Sequence, residues 1–206
     1  MIEKIFANQM MPLSVDFFNR PTLDVARDLL GQRLVRMIDG RRVSGRIVET
    51  EAYVGPHDTA SHASKGRTPR TEVMFGPPGR AYVYLIYGMY HMLNLVTEAE
   101  GFPAAVLIRA IEPLEGLEVI QANRAGIRQA RLLTGGPGRL CRALQIDLSL
   151  NRWDVTRGER LWLEPDAPVP PAQIARGPRV GIAYAQPKDR AAAWRFWIKD
   201  NPFVSR

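Results

Sequence analysis

Two carboxylates stand two residues apart in the stretch RIVETEAYVG, Arg46 to Gly55. Successive side chains of a strand point to opposite faces, so regular alternation puts Ile47, Glu49, Glu51 and Tyr53 on one face and Val48, Thr50 and Ala52 on the other. Carboxylates are almost absent from cores unless partnered. This face therefore either meets water or lines a pocket. Farther along, AVLIRAIEP places Arg109 inside an apolar run. A buried arginine needs an anionic partner, and Glu51 is a candidate. The pair reads in two ways: as a brace between strands, or as a carboxylate and a cation holding a water for hydrolysis. Glu49 is assigned a surface or structural pairing role.

Three other constellations could carry chemistry. GGPG at Gly135 to Gly138, followed by RLCRAL, combines glycines that permit close backbone approach with a helix start. It reads as a helix entry turn or as a phosphate contact through Gly136, Gly138 and Arg139, and it lacks the Lys and Ser/Thr of a nucleotide P-loop. His57, Asp58 and His62 cluster without matching a zinc spacing, and with no paired cysteines a zinc deaminase is excluded. No metal and no cofactor are expected. In YVYLIYGMYHMLN, alternation puts Tyr82 and Tyr84 on one face, with Tyr87, Met89 and Tyr90 around a turn at Gly88. That run is either sheet core or an apolar wedge of the kind pushed into a base stack.

The elements that must position these residues follow from periodicity and punctuation. RPTLDVARDLLG has helical spacing closed by Gly31, and Asp39-Gly40 between alternating segments signals a tight hairpin. PRTEVMFG reads as a short helix, and three β-rich runs follow, punctuated by Gly88 and Gly101. Residues from Leu114 to about Ile146 read as helical, PDAPVPPAQIARGP as a surface loop, and RVGIAY and WRFWI as closing strands. The expected fold is α+β, a single domain over residues 1–206 with a curved, mostly antiparallel sheet flanked by helices and a protruding hairpin.

Composition narrows the partners. The chain has 206 residues, 46% of them hydrophobic, and a formal charge of +7 that favours an anionic partner. Of 28 basic residues only Lys4, Lys65, Lys188 and Lys199 are lysines. The single cysteine, Cys141, allows no internal disulfide, which suits a reducing compartment. The start, MIEKIFANQMMPL, lacks the apolar core of a secretory signal, and the apolar stretch from Ala81 to Val96 is too short to span a membrane.

Taken together, RIVETEAYVGPHDTASHASKGRTPR, MFGPPGRAYVYLIYGMYHMLNLV, VLIRAIEPLEG and LTGGPGRLCRAL resemble the alkyladenine (3-methyladenine) DNA glycosylase family, bacterial members included, from about Leu13 to NPFVS. The resemblance implies a monofunctional base-excision-repair hydrolase acting on double-stranded DNA that contains damaged purines. Glu51 would be the general base that activates water and Arg109 would help position it. Tyr53, His62 and Tyr84 would hold the extruded base, Asn94 would crowd the exocyclic amino group of normal guanine, and Leu107 would pack nearby. Tyr87 would intercalate, with Met89 and Tyr90 beside it. The implied protein is a cytoplasmic, nucleoid-associated monomer. Against the mammalian members of that family, this chain has Ser61 where Ala is expected. A non-catalytic basic DNA-binding module is the alternative, and a lyase would have to use Lys65 as its amine.

Overall fold

The computed structural model describes residues 11–205, so the reading of the first ten residues lies outside the described residues. One eight-stranded sheet organises the chain, and every pairing in it is antiparallel. Its strands are β1 (Arg33–Ile38), β2 (Arg41–Val54), β3 (Ala81–Ile86), β4 (Tyr90–Val96), β5 (Ala104–Glu115), β6 (Leu161–Glu164), β7 (Ile174–Gly177) and β8 (Arg195–Ile198). The α-helices are α1 (Val15–Phe18), α2 (Thr22–Asp28), α3 (Leu117–Asn123), α4 (Arg131–Thr134), α5 (Pro137–Ala143) and α6 (Pro187–Ala191).

The long strand β2 is the spine. One edge pairs with β5 from Ser44 to Val54, and the other pairs first with β1 and then, at Glu49 to Glu51, with β8. Asp39 and Gly40, both with positive φ, turn β1 into β2 as the Asp-Gly signal predicts. A second hairpin joins β3 to β4 through Tyr87 and Gly88, also at positive φ, with the Met89 N–H donating to the Ile86 carbonyl at 3.2 Å. Its tip protrudes: Tyr87 is 82% exposed.

The main core lies between the sheet and helices α2 to α5. It holds Leu29, Leu30, Ile47, Val48, Ile108, Ile111 and Leu140, all buried. Thr50 ties strand to helix by donating to the Ala26 carbonyl at 2.7 Å. Cys141 is fully buried here, and burial pushes its thiol up to about 12. None of the helices is long and apolar enough to cross a membrane among the described residues.

Several segments depart from the expectation. RVGIAY is a loop, and the strand that pairs with β8 is β7, inside the stretch read as a proline-rich loop. The LWLE strand β6 was not anticipated, and β5 continues to Glu115 before any helix begins. Ile47 does not share a face with Glu49. A bulge leaves Val48 without a partner on β5, so Ile47 and Val48 both enter the core.

GGPG serves packing first. A Cβ added at Gly135, which bridges to Ala110 of β5, would sit 2.4 Å from the Arg131 carbonyl oxygen and 2.8 Å from that of Phe203. Both are backbone atoms that cannot swing aside. Gly135→Ala is therefore expected to destabilise the fold by about 1–3 kcal/mol through overpacking. A denaturation midpoint equal to that of the unmodified chain would show that the α4–α5 turn can shift freely.

Candidate active site

Two bulges create the site. Besides the one at Val48, the pairing of β2 with β5 skips Arg109, which is released from the ladder between Ile108 and Ala110. Its side chain reaches Glu49 through Nε at 2.8 Å, Glu51 Oε1 through Nη1 at 3.3 Å and Ser205 Oγ through Nη2 at 3.0 Å. Both carboxylates are fully buried. Arg109 pairs with Glu51 as the sequence suggests, but its shorter contact is with Glu49.

Glu49 is not on the surface. Besides Arg109 it accepts from the Ser205 N–H at 2.7 Å and the Ser205 hydroxyl at 2.9 Å, and Arg195 lies 3.6 Å away. Its partners are structural ones from the end of the chain, β5 and β8. Glu51 accepts from the Val180 N–H at 2.7 Å and from the Tyr53 hydroxyl at 2.9 Å. Burial raises its pKa above the ordinary 4.5, opposed by Arg109, the Val180 amide and the Tyr53 hydroxyl.

Above Glu51 opens a cleft of about 690 Å³, lined among others by Tyr53, His62, Tyr84, Tyr87, Leu107 and Arg109. Six of the expected residues thus meet around one space; Glu51 is buried off its lining but touches three residues of it, Tyr53, Arg109 and Val180. The His62 ring packs edge-on against Tyr84, centroids 4.6 Å apart, and Tyr84 lies 5.1 Å from Tyr82. His62 Nδ1 is 2.9 Å from the Tyr82 hydroxyl. Burial, with Arg70 and Lys65 nearby, lowers the His62 pKa to about 4, so the ring is neutral near pH 7. Burial likewise raises Tyr53 and Tyr84 well above 10, and their hydroxyls stay protonated. The Arg70 guanidinium lies 5.0 Å from the Tyr84 ring centroid.

Asn94 lies in a small recess of about 30 Å³ behind His62 and Tyr84, donating to the Tyr82 carbonyl at 3.2 Å. Met89 is at the exposed hairpin tip, whereas Tyr90 packs against Gly138, where an added Cβ would meet its ring at 3.0 Å. Tyr90, Gly136, Gly138 and Arg139 line a second cavity of about 460 Å³ that shares Arg109 with the main cleft.

Sequence reasoning missed the loop after β7. Val180 and Tyr184 line the cleft, and Arg179 forms a buried ion pair with Asp58. Asp58 is thereby removed from any metal cluster, and His57 is exposed. Among the described residues no group of three or more His, Cys, Asp or Glu could hold a metal ion.

Comparison with known proteins shows the family. The family model described as methylpurine-DNA glycosylase matches residues 16–202. A protein of Methanocella arvoryzae named "Putative 3-methyladenine DNA glycosylase" is 53% identical over 197 residues, covering 96% of this chain and 97% of that protein. Proteins of the same name from Myxococcus xanthus and Streptomyces avermitilis are 52% and 46% identical, covering 94% and 98% of this chain and 93% and 94% of their own lengths. With the match covering nearly the whole chain, from α1 through β8, the chain belongs to the methylpurine-DNA glycosylase family.

Proposed function

We propose that this DNA glycosylase extrudes alkylated or deaminated purines, of the 3-methyladenine type, from duplex DNA and hydrolyses the N-glycosidic bond with a water activated by Glu51. The observation that carries the reading is the state of that carboxylate. An ionised carboxylate has about four lone-pair sites. In Glu51, Oε1 meets Val180 and Arg109, and Oε2 meets Tyr53. One site on Oε2 is left for a water; Glu49 has the same room on its Oε2, so what singles out Glu51 is that all three of its contacts line the cleft.

The chemistry follows from that position. Glu51 takes a proton as the water oxygen bonds to C1′, and the bond from C1′ to the purine nitrogen breaks with its electrons going to the base. An N3-alkylated adenine carries positive charge, so it leaves neutral. The sugar gains cationic character in the transition state, which a buried carboxylate stabilises. Arg109 keeps Glu51 ionised in spite of burial and points the water. A neutral His62 beside protonated tyrosines does not repel a cationic base, and aromatic faces attract it. Exposed on its turn, Tyr87 would fill the gap left in the duplex, and Arg139 would meet a backbone phosphate. The protein would act as a monomer on damaged double-stranded DNA.

Glu51→Gln is expected to keep its affinity for lesion DNA while single-turnover base release falls by about 10²- to 10⁴-fold, the usual worth of a general base. Release at the unmodified rate would sink the assignment. Glu49→Gln should act mainly on stability, costing about 3–5 kcal/mol because Arg109 and Arg195 lose a buried counter-charge; an unchanged denaturation midpoint would contradict this.

The pH dependence has a definite sign. Glu51 works ionised and its pKa is raised, so the rate should climb with pH through an acid limb centred above 4.5. His62, lowered to about 4, is already neutral over that window and adds no limb of its own. A limb centred below 4.5 would point to another base.

Tyr87→Ser should cost the flipped state about 1–3 kcal/mol, the usual worth of one stacked ring. The comparison to make is excision from a stably paired lesion against excision from a mismatched one, where flipping is cheaper. A wedge loses more on the paired substrate; equal losses would make Tyr87 a pocket residue.

A further inference from the structure

The loop that replaces the expected RVGIAY strand buries its first charged side chain completely. Arg179 Nη2 donates to Asp58 Oδ1 at 2.8 Å and to the Asp189 carbonyl at 3.3 Å, and Nη1 donates to the Ala52 carbonyl at 2.9 Å. Its guanidinium carbon lies 4.8 Å from the Tyr53 ring centroid and 4.9 Å from that of Trp194. Trp194 in turn accepts the Ala52 N–H at 2.9 Å.

Each of these contacts borders something that touches Glu51. Ala52 is its neighbour on β2. Tyr53 donates to Oε2, and Val180, the residue after Arg179, donates to Oε1. A buried ion pair is weak support for a fold, since desolvation cancels much of its attraction and apolar residues of equal volume often serve as well. Such residues could fill the space. They could not hold one ring by its face and one loop by three directed bonds.

We propose that Arg179, with Asp58, is a positioning residue that sets the Tyr53 ring and the Val180 amide against Glu51 and so fixes the direction and ionisation of the reactive carboxylate. The proposal rests on the reading of Glu51 as the general base. The charged and titratable groups around Glu51 are Glu49 and Tyr53 on its own strand, Arg109 of β5, Arg195 opposite it on β8, Tyr84 of β3, and Arg179 and Tyr184 of the loop. Of the groups that favour the ionised form, Arg109 is held independently by Glu49 and Ser205. The other two, Tyr53 and Val180, both rest on Arg179.

Arg179→Lys keeps the charge facing Asp58 but loses the flat stack and the forked bonds. Trp194→Leu, at a half-buried position, frees one side of the guanidinium while leaving the ion pair in place. Each variant is assayed for lesion-DNA affinity, for thermal unfolding, and for single-turnover release of alkylated base across pH. Affinity should stay within about twofold while the plateau rate falls by about 10- to 100-fold, as a small misplacement of a reacting group produces. The acid limb should move up by about 0.5–1 pH unit, because hydrogen bonds that favour the charged carboxylate are weakened. A lower plateau with an unmoved limb makes Arg179 merely structural and overturns the proposal, as does an unchanged profile. If Arg179→Lys does not fold, Trp194→Leu decides by the same two criteria. An unmodified protein that releases no base, or a Glu51→Gln variant that releases it at full rate, would instead bring down the functional reading itself.

Discussion

Arg109 holds together two carboxylates that could not otherwise be buried. Glu49 and Glu51 have no exposed surface, and each buried ion left unpaired costs several kcal/mol. One guanidinium is shared between them, and Glu49 still needs Arg195 and Ser205. Much of the architecture serves that requirement: the bulge that frees Arg109 from β5, the docking of β8 beside Glu49 to Glu51, and the return of the chain so that Ser205 reaches the centre of the sheet. The two carboxylates differ in what their partners face. All three contacts of Glu51, with Tyr53, Arg109 and Val180, line the main cleft, whereas Glu49 is also held by Ser205 and Arg195, which line the second cavity.

The aromatic cleft obeys a complementary rule. Three of its ionisable rings are held in their neutral forms by burial, His62 by a lowered pKa and Tyr53 and Tyr84 by raised ones. Fixed positive charge on its lining comes from Arg109, which touches Glu51, and from Lys65 and Arg70, the last of which sits against Tyr84.

Much of this was legible from residue types alone, and the failures have physical causes. Asp39-Gly40 and the alternation of β3 and β4 act locally, so hairpins and strands were readable. The acidic pair and the arginine in an apolar run were visible because each breaks a strong local rule. Bulges escaped, since a skipped partner depends on the neighbouring strand; without them Ile47 falls on the wrong face, and the choice for Glu49 between a surface and a structural pairing role stays open, which the Arg109 pair decides for the latter. The β7 strand was hidden by flanking prolines, and RVGIAY alternates like a strand although it forms a surface loop from which the Arg179 side chain is buried against Asp58. Nothing near Asp58 in the sequence announces a partner 121 residues away.

The chain's one thiol has a bearing on survival in the conditions that create this enzyme's substrates. Small electrophiles that methylate purines also methylate thiolates, and reactive cysteines are those that are exposed and ionised. Cys141 is neither: it lies sealed among core side chains, and its pKa of about 12 keeps it protonated. The protein therefore offers alkylating agents no reactive thiolate, and that route to inactivation is closed under the very chemical attack whose damage it removes.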